Sequence, residues 1–119
     1  MNIQDYFQEI TAPFSPKVIG EVNDVYIKIA IIKGDKIPWH NHENEDEMFF
    51  IIEGNLLFEV EGETPFTMQT GDIFIVKSGI NHRVSSQDEC KIMLIENKET
   101  RHTGKIISDV TRSVDEQLQ

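Results

Sequence analysis

Two histidines and a glutamate stand near one another in the segment Gly34–Gly54, which reads GDKIPWHNHENEDEMFFIIEG. His40 and His42 are spaced H-x-H, and in an extended strand residues with this spacing point to the same face. The polar residues 43–46 are typical of a turn, and Glu47 then opens an apolar run typical of a second strand. A hairpin folded at this turn would return Glu47 to the two imidazoles. Two imidazoles and a carboxylate suit a divalent transition metal, although H-x-H by itself is a weak signal, because two histidines on a strand are more often ordinary polar residues than ligands.

A second segment adds a third histidine to this set. It is Gly71–Ser86, GDIFIVKSGINHRVSS, in which a Gly-Asp turn leads into the apolar run Ile73–Val76. A further turn containing Gly79 is followed by His82, which starts another short strand. The second segment therefore favours the metal interpretation over the polar-strand interpretation.

The first segment resembles the first motif of the cupin superfamily. That motif consists of a glycine, an H-x-H pair, a glutamate and a second glycine at set distances. All of its fixed positions are matched here, by Gly34, His40, His42, Glu47 and Gly54.

The second segment resembles the second cupin motif, with two departures. Three fixed positions are matched, by Gly71, Gly79 and His82. Lys77 stands where the motif has a proline, and Ser86 stands where it has an asparagine. Both departures affect the turns and leave the expected metal ligands in place.

The resemblance implies both a fold and a ligand set. The fold is an all-β, antiparallel double-stranded β-helix, the jelly-roll barrel of the cupins. The ligand set, carried over position by position, is His40, His42, Glu47 and His82, holding one divalent ion of manganese, iron, cobalt, nickel or zinc. Four protein ligands on an octahedral metal leave two positions for water, dioxygen or a substrate.

The pattern of turns agrees with such a barrel. Short apolar strands are predicted with turns every 8–12 residues, and no alternation of helices with strands is seen. The predicted strands are 17–22, 25–33, 47–53, 56–60, 66–68, 73–76, a short strand from residue 82, and 91–96. We interpret the chain as one cupin domain, 1–119, with a barrel core of about 17–96, an N-terminal amphipathic helix at 2–11 and a C-terminal arm at 97–119.

Composition narrows the range of partners. The 119 residues include 11 basic and 21 acidic side chains, a net charge of −10. Such a surface repels nucleic-acid phosphates and anionic membranes, so we expect neither as a partner. Residues 1–5 have no signal-peptide character. The single cysteine, Cys90, fits a cytoplasmic protein without disulfides.

The resemblance leaves the reaction open. We expect a metal-dependent enzyme acting on a small organic substrate in a dioxygenase-like manner, with a non-catalytic small-molecule or sugar binder and a sugar-isomerase-like cupin as alternatives. No acid or base is assigned, although side chains of suitable type are present: Tyr26, Lys28, Glu59, Lys77, Arg83 and Cys90. We expect Phe49 and Ile51 beside the metal, in a small apolar pocket.

The strand 47–53 is apolar on both faces. Phe49 and Ile51 share the face of Glu47 and point into the barrel, so Met48, Phe50 and Ile52 must point outward. An outward apolar row requires a cover. Either the N-terminal helix or a second subunit could provide it, and the family resemblance favours a homodimer.

Overall fold

The structure is a computed structural model that describes residues 1–10, 12–100, 103–104 and 111–118, and their side chains except those of Val114 and Asp115. Its elements in chain order are α1 (Ile3–Phe7), β1 (Lys17–Val22), β2 (Val25–Gly34), β3 (Glu47–Glu53), β4 (Asn55–Val60), β5 (Phe66–Gln69), β6 (Ile73–Val76), β7 (His82–Asn97) and α2 (Val114–Gln117). Every strand pairing among them is antiparallel, which confirms the predicted all-β fold.

Strand β7 organises the barrel because it belongs to both of its sheets. One sheet has the order β1-β2-β7-β3-β6, and the other joins β5 to β4 and β4 to the first residues of β7. The sequence predicts two strands here, one from His82 and one at 91–96, but the structure shows one strand of 16 residues. Its polar middle does not end the strand because the backbone passes directly from pairing with β4 at Ser85 to pairing with β2 at Ser86.

The core lies between the two sheets and follows the alternation of the strands. In β3, Glu47, Phe49 and Ile51 are buried and the residues between them are half-buried. The aromatic rings of Phe49 and Phe58 meet edge to face with centroids 5.0 Å apart, and Phe58 stacks on Phe66 at 5.4 Å. The rest of this cluster comes from apolar side chains of strands β2 to β7 and from Phe14 and Ile37.

Helix α1 is shorter than the predicted 2–11 and lies against the outer surface of β7. It begins with a capping box. The side chain of Asn2 accepts a hydrogen bond from a backbone N–H of the first turn, and the side chain of Asp5 accepts one from the backbone N–H of Asn2. Phe7 is buried beneath the ammonium group of Lys91, 5.5 Å from the ring centroid. The helix therefore covers part of the outer surface of the sheet.

The C-terminal region is described only in part. Thr100 and Thr103 are buried, and α2 ends at Gln117, whose side chain is also buried. These residues contact the barrel, whereas the sequence predicts an extended arm with a frayed end. Arg101 and His102 lie outside the described residues. No helix in the described part of the chain is long and apolar enough to cross a membrane.

Candidate metal centre

A pair of backbone hydrogen bonds brings the H-x-H segment to the start of β7. His40 N donates to His82 O at 3.0 Å, and His82 N donates to His40 O at 2.9 Å. Gly79 N donates to His42 O at 2.8 Å. The segment around His40 and His42 is therefore not the regular strand that the spacing predicts, but an irregular stretch fixed to the turn before β7 by its backbone.

The three imidazoles converge at this point. His40, His42 and His82 each offer a ring nitrogen, and these three atoms lie within 4.8 Å of one another. All three side chains are buried. Within the described ranges, this is the one group of three or more histidine, cysteine or acidic side chains close enough to hold an ion.

Hydrogen bonds orient two of the three rings. The Nδ1 atom of His40 lies 2.8 Å from Pro38 O, and that of His82 lies 3.0 Å from Ile80 O. A carbonyl oxygen can only accept, so each Nδ1 carries the proton and donates. The Nε2 atom of each ring is then left with a free lone pair, which is the tautomer that a metal-binding histidine requires.

The chemistry of these nitrogens fits a cation. The buried Nε2 atoms of His42 and His82 have no hydrogen-bond partner among the described residues. Burial, followed by the nearby His82, lowers the pKa of His40 from 6.5 to about 4, so this ring is neutral at pH 7. Buried polar atoms without partners are costly, and an ion bound between the rings would satisfy them.

Glu47 supplies a carboxylate at the same place. As the first residue of β3, it points inward, and its Oε1 atom lies 3.5 Å from the Nε2 atoms of both His42 and His82. Burial alone would raise the pKa of Glu47, but its contacts with Glu96, His42 and His82 outweigh burial and hold that pKa well below its usual range. Glu47 is therefore an anion beside the three imidazoles.

Two residues that the sequence analysis did not assign to the site lie behind Glu47. Glu96 faces Glu47 as its register partner across β3 and β7, and Lys28 Nζ lies 2.6 Å from Glu96 Oε1. Burial and the negative charge of Glu47 raise the pKa of Glu96, with Lys28 opposing them. Both residues could have been found from strand alternation, because Glu96 shares a face with the apolar Ile92 and Leu94.

An apolar cavity of about 30 Å³ adjoins the site. His40 and Glu47 line it together with apolar side chains that include Phe14, Ile32, Ile37, Phe49, Val84 and Leu94. Phe49 also lies beside the histidines, with its ring centroid 6.2 Å from that of His82. Ile51 is fully buried but does not line this cavity.

A wider and more polar pocket lies on the other side of His42. Its volume is about 370 Å³, and the described residues that line it are Asn41, His42, Glu43, Asn44, Glu45, Glu99 and Gly104. Three of these seven residues are acidic. The pocket is therefore a poor environment for an anion.

The acid–base candidates named from the sequence do not gather at the imidazoles. Lys77 pairs with Asp46 at 2.8 Å on the surface, and Arg83 pairs with Glu59 at 2.7 Å. Cys90 is buried in the core, where burial raises the pKa of its thiol to about 11. None of these side chains lines either pocket beside the histidines.

Comparison with known proteins agrees with this geometry. Residues 28–96 match the family model of the cupin domain, Cupin_2. The chain is 30% identical over 81 residues to the uncharacterized protein YdbB of Bacillus subtilis. The aligned region covers 68% of this chain and 71% of that protein.

Two solved structures are also similar. A cupin-2 domain containing protein from Shewanella frigidimarina has 34% identity and a TM-score of 0.77, over 82% of this chain and 93% of that one. A protein described as a putative mannose-6-phosphate isomerase from Ralstonia eutropha has 25% identity and a TM-score of 0.58, over 69% of this chain and 81% of that one. The family match spans more than half of the sequence and contains all three clustered histidines, and the chain therefore belongs to the cupin domain family.

Proposed function

We propose that His40, His42, His82 and Glu47 bind one divalent transition metal ion. The observation that carries this proposal is the pair of buried Nε2 atoms, on His42 and His82, that lack partners among the described residues and face the same carboxylate oxygen. An N/O donor set of this kind accepts manganese, iron, cobalt, nickel or zinc without sharp selection.

Metal analysis of the purified protein tests this assignment. We expect up to one transition metal per chain, and we expect the double variant His40→Ala/His82→Ala to retain less than about one tenth of it, because two nitrogen ligands are removed. His102→Ala is the matched control, since His102 lies outside both motifs. Full metal content in the double variant would contradict the proposal.

We further propose that the metal-bound protein is an enzyme acting on a small, largely apolar organic substrate. A bound ion would supply either Lewis-acid polarisation of a carbonyl group or activation of oxygen. The chain's own contribution is the apolar wall formed by Phe14, Ile37 and Phe49, which excludes water next to His40 and Glu47. The 30 Å³ cavity has room for a few non-hydrogen atoms, so we expect it to take the apolar reacting end of a small substrate.

Oxygen consumption separates the dioxygenase-like reaction from the other possibilities. Protein loaded with Fe(II) should consume oxygen with at least one member of a panel of catechols, diketones and thiols, and His40→Ala/His82→Ala should not. Absence of oxygen uptake with every member would contradict the dioxygenase-like reaction and favour a lyase, an isomerase or a binder.

Two alternatives make different use of the same pocket. A non-catalytic binder is favoured by the position of the acid–base candidates, none of which lies beside the histidines. A phosphosugar isomerase, suggested by the description of the Ralstonia eutropha protein, is disfavoured because phosphate recognition requires arginine or lysine. Among the described residues, neither pocket that the histidines line contains a basic side chain, and the polar one contains three glutamates.

We also propose that the protein is a homodimer assembled through the outer surface of β3 and β6. Ile73 and Ile75 of β6 are 58% and 52% exposed, and they pair with Phe50 and Met48 of β3. A continuous apolar surface of this kind favours burial against a second copy. The wild-type protein should sediment at about twice the monomer mass of 13.7 kDa, and Ile73→Glu/Ile75→Glu should sediment as a monomer. A monomeric wild type at micromolar concentration would contradict the dimer.

The chain's organisation as one domain and its cytoplasmic location remain proposals. The buried free thiol of Cys90 supports the second of these, because a reducing compartment keeps such a thiol unmodified.

A further inference from the structure

A phenylalanine from outside the barrel strands lines the apolar cavity beside the proposed metal ligands. Phe14 belongs to the loop between α1 and β1, and it lines the cavity of about 30 Å³ together with His40 and Glu47. Among the described residues, the other apolar walls come from β2, β3, β7 and Ile37, and from Pro16 of the same loop. The loop therefore supplies one wall of the cavity that the strands do not.

The backbone of Phe14 has a conformation that phenylalanine rarely adopts. Its φ is +64°, in the left-handed region that favours glycine. Within the described ranges, Asn23 is the other non-glycine residue with a positive φ, and asparagine tolerates this region because its short polar side chain can bond to the nearby backbone. A bulky aromatic residue there is a clear outlier, and residues under such strain concentrate at functional sites. The ring of Phe14 is therefore placed at the cavity despite local backbone strain.

Two features of the loop hold Phe14 in place. Its backbone N–H donates a hydrogen bond to Ile31 O at 2.8 Å, which continues the contact of the chain with β2 beyond the end of β1. Pro13 and Pro16 lie on either side of it, and their own rings fix φ at about −65°. The side chain of Phe14 is 6% exposed and belongs to the core cluster. The position of the ring is therefore set by the backbone around it.

The size of the cavity limits the group that can bind in it. A volume of 30 Å³ is close to the share of one molecule in liquid water, whereas apolar cavities of roughly 150 Å³ in other proteins bind benzene. A group of a few non-hydrogen atoms therefore fits beside His40 and Glu47, and a phenyl ring does not. Phe14 is the larger of the two side chains that the loop adds to the wall, so its ring sets this limit.

We propose that Phe14 is a specificity-determining residue, whose ring restricts the group bound beside the metal to a compact aliphatic one and excludes aromatic rings. This inference rests on the proposed function and narrows its substrate class. Short aliphatic carbonyl compounds and thiols fit the cavity, and catechols do not.

Two hydroxamates that differ in one group test this role. Acetohydroxamate and benzohydroxamate offer the same two oxygen atoms to a metal, with a methyl group in the first and a phenyl ring in the second. We expect the Co(II)-loaded wild type to bind acetohydroxamate at least about 10-fold more tightly than benzohydroxamate in spectroscopic titrations. In Phe14→Ala the ratio of the two dissociation constants should shift by about 10- to 100-fold in favour of benzohydroxamate, because the phenyl ring is then buried.

Phe7→Ala is the matched control. Phe7 is also a buried phenylalanine of the N-terminal region, 4% exposed, but it lies on the outer surface of β7 and does not line the cavity. Its ratio of dissociation constants should equal that of the wild type. If the wild type binds Co(II) normally, an unchanged ratio in Phe14→Ala, or an equal shift in Phe7→Ala, would overturn the role of Phe14 alone. Absence of Co(II) binding by the wild type would overturn the metal proposal, and with it the substrate class inferred here.

A measurement without metal tests the cavity independently. Removal of the ring should open an apolar space that accepts benzene, so benzene should raise the Tm of metal-free Phe14→Ala by several degrees and leave the Tm of the wild type unchanged. Phe14→Gly removes the same ring and accepts a φ of +64°, and it replaces Phe14→Ala in both measurements if the alanine variant does not fold. An equal response of variant and wild type to benzene would overturn the inference.

Discussion

His40 and His82 are joined through their backbones, each donating its N–H to the carbonyl oxygen of the other, at 3.0 and 2.9 Å. This pair of bonds fixes the irregular segment that follows β2 to the beginning of β7. Since the side chains take no part in the bridge, their substitution should leave the two segments joined. Loss of metal in a histidine variant would then report on the ligand itself and not on the fold.

His82→Leu should separate stability from metal binding. The substitution replaces a buried imidazole, whose Nε2 atom has no partner among the described residues, by an apolar side chain of similar size. An unsatisfied buried polar atom costs about 1–3 kcal/mol. The same substitution removes the hydrogen bond that Nδ1 donates to Ile80 O, so the two effects largely cancel. We therefore expect the metal-free variant to lie within about 1 kcal/mol of the metal-free wild type in urea denaturation, and to bind no metal. A large loss of stability would contradict the account of this nitrogen as unsatisfied.

The stability of the metal-free protein should fall as the pH decreases from 6.5 to 4.5. The folded-state pKa of His40 is lowered to about 4 from an ordinary value of 6.5. In this window the unfolded chain therefore binds a proton that the folded protein excludes, and lowering the pH favours unfolding. The contribution of His40 is about 2 kcal/mol between pH 7.5 and 4.5.

Urea denaturation of the wild type and of His40→Gln, with a chelator present, measures this contribution. The variant should lose about 2 kcal/mol less than the wild type between pH 7.5 and 4.5. Glu47 does not contribute to the difference between the two proteins in this pH range. Its folded-state pKa lies well below 4.5, the pKa of an unfolded glutamate, so its contribution to stability is lost only below about pH 4.5. Parallel pH profiles for the two proteins would contradict the lowered pKa of His40.

Breaking the buried ion pair from one side should be more damaging than removing it. Lys28→Met leaves the carboxyl of Glu96 buried without its cation, at an expected cost of about 3–5 kcal/mol in unfolding free energy. Lys28→Met/Glu96→Gln removes both charges and should recover most of this loss. A double-mutant cycle by chemical denaturation checks the prediction, and equal costs for the single and double variants would count against the pair.

Gly104 lies directly against the backbone of the H-x-H segment at Asn41. A Cβ atom at Gly104 would lie 2.0 Å from Asn41 O, which no relaxation of a side chain can relieve. Gly104→Ala should therefore displace Asn41 and the adjacent His42, and we expect metal affinity to fall by at least about 10-fold, as when a ligand loses its support.

Gly62→Ala is the matched control for this substitution. Gly62 also has a positive φ, +82° against +61° at Gly104, but a Cβ atom there would meet nothing within 4 Å. Both substitutions destabilise the fold by placing alanine in the left-handed region. Only in Gly104→Ala does the new Cβ atom also clash with the backbone of Asn41. Calorimetric titration with Co(II) compares them, and equal affinities would contradict the role of Gly104.

The convergence of the histidines was predictable from the resemblance to the two cupin motifs. The spacings of His40, His42 and His82, with their turn glycines, match a motif in which these side chains meet, and the structure brings their nitrogens within 4.8 Å. Strand alternation likewise predicted that Phe49 faces inward. The assignment of Glu47 as a ligand stays a prediction, although its carboxylate lies 3.5 Å from two of the imidazoles.

The sequence by itself determined the turns and the alternation of the strands, because both depend on residues a few positions apart. Its resemblance to the two cupin motifs implied the barrel and the identity of the clustered histidines. Only the tertiary structure decided that β7 is one continuous strand and that Glu96 lies against Glu47. It also decided that Lys28 is buried, which requires Gln117, 89 residues away, to reach its ammonium group. Contacts at such separations depend on how the sheets and the C-terminal helix pack together, and no local pattern encodes that packing.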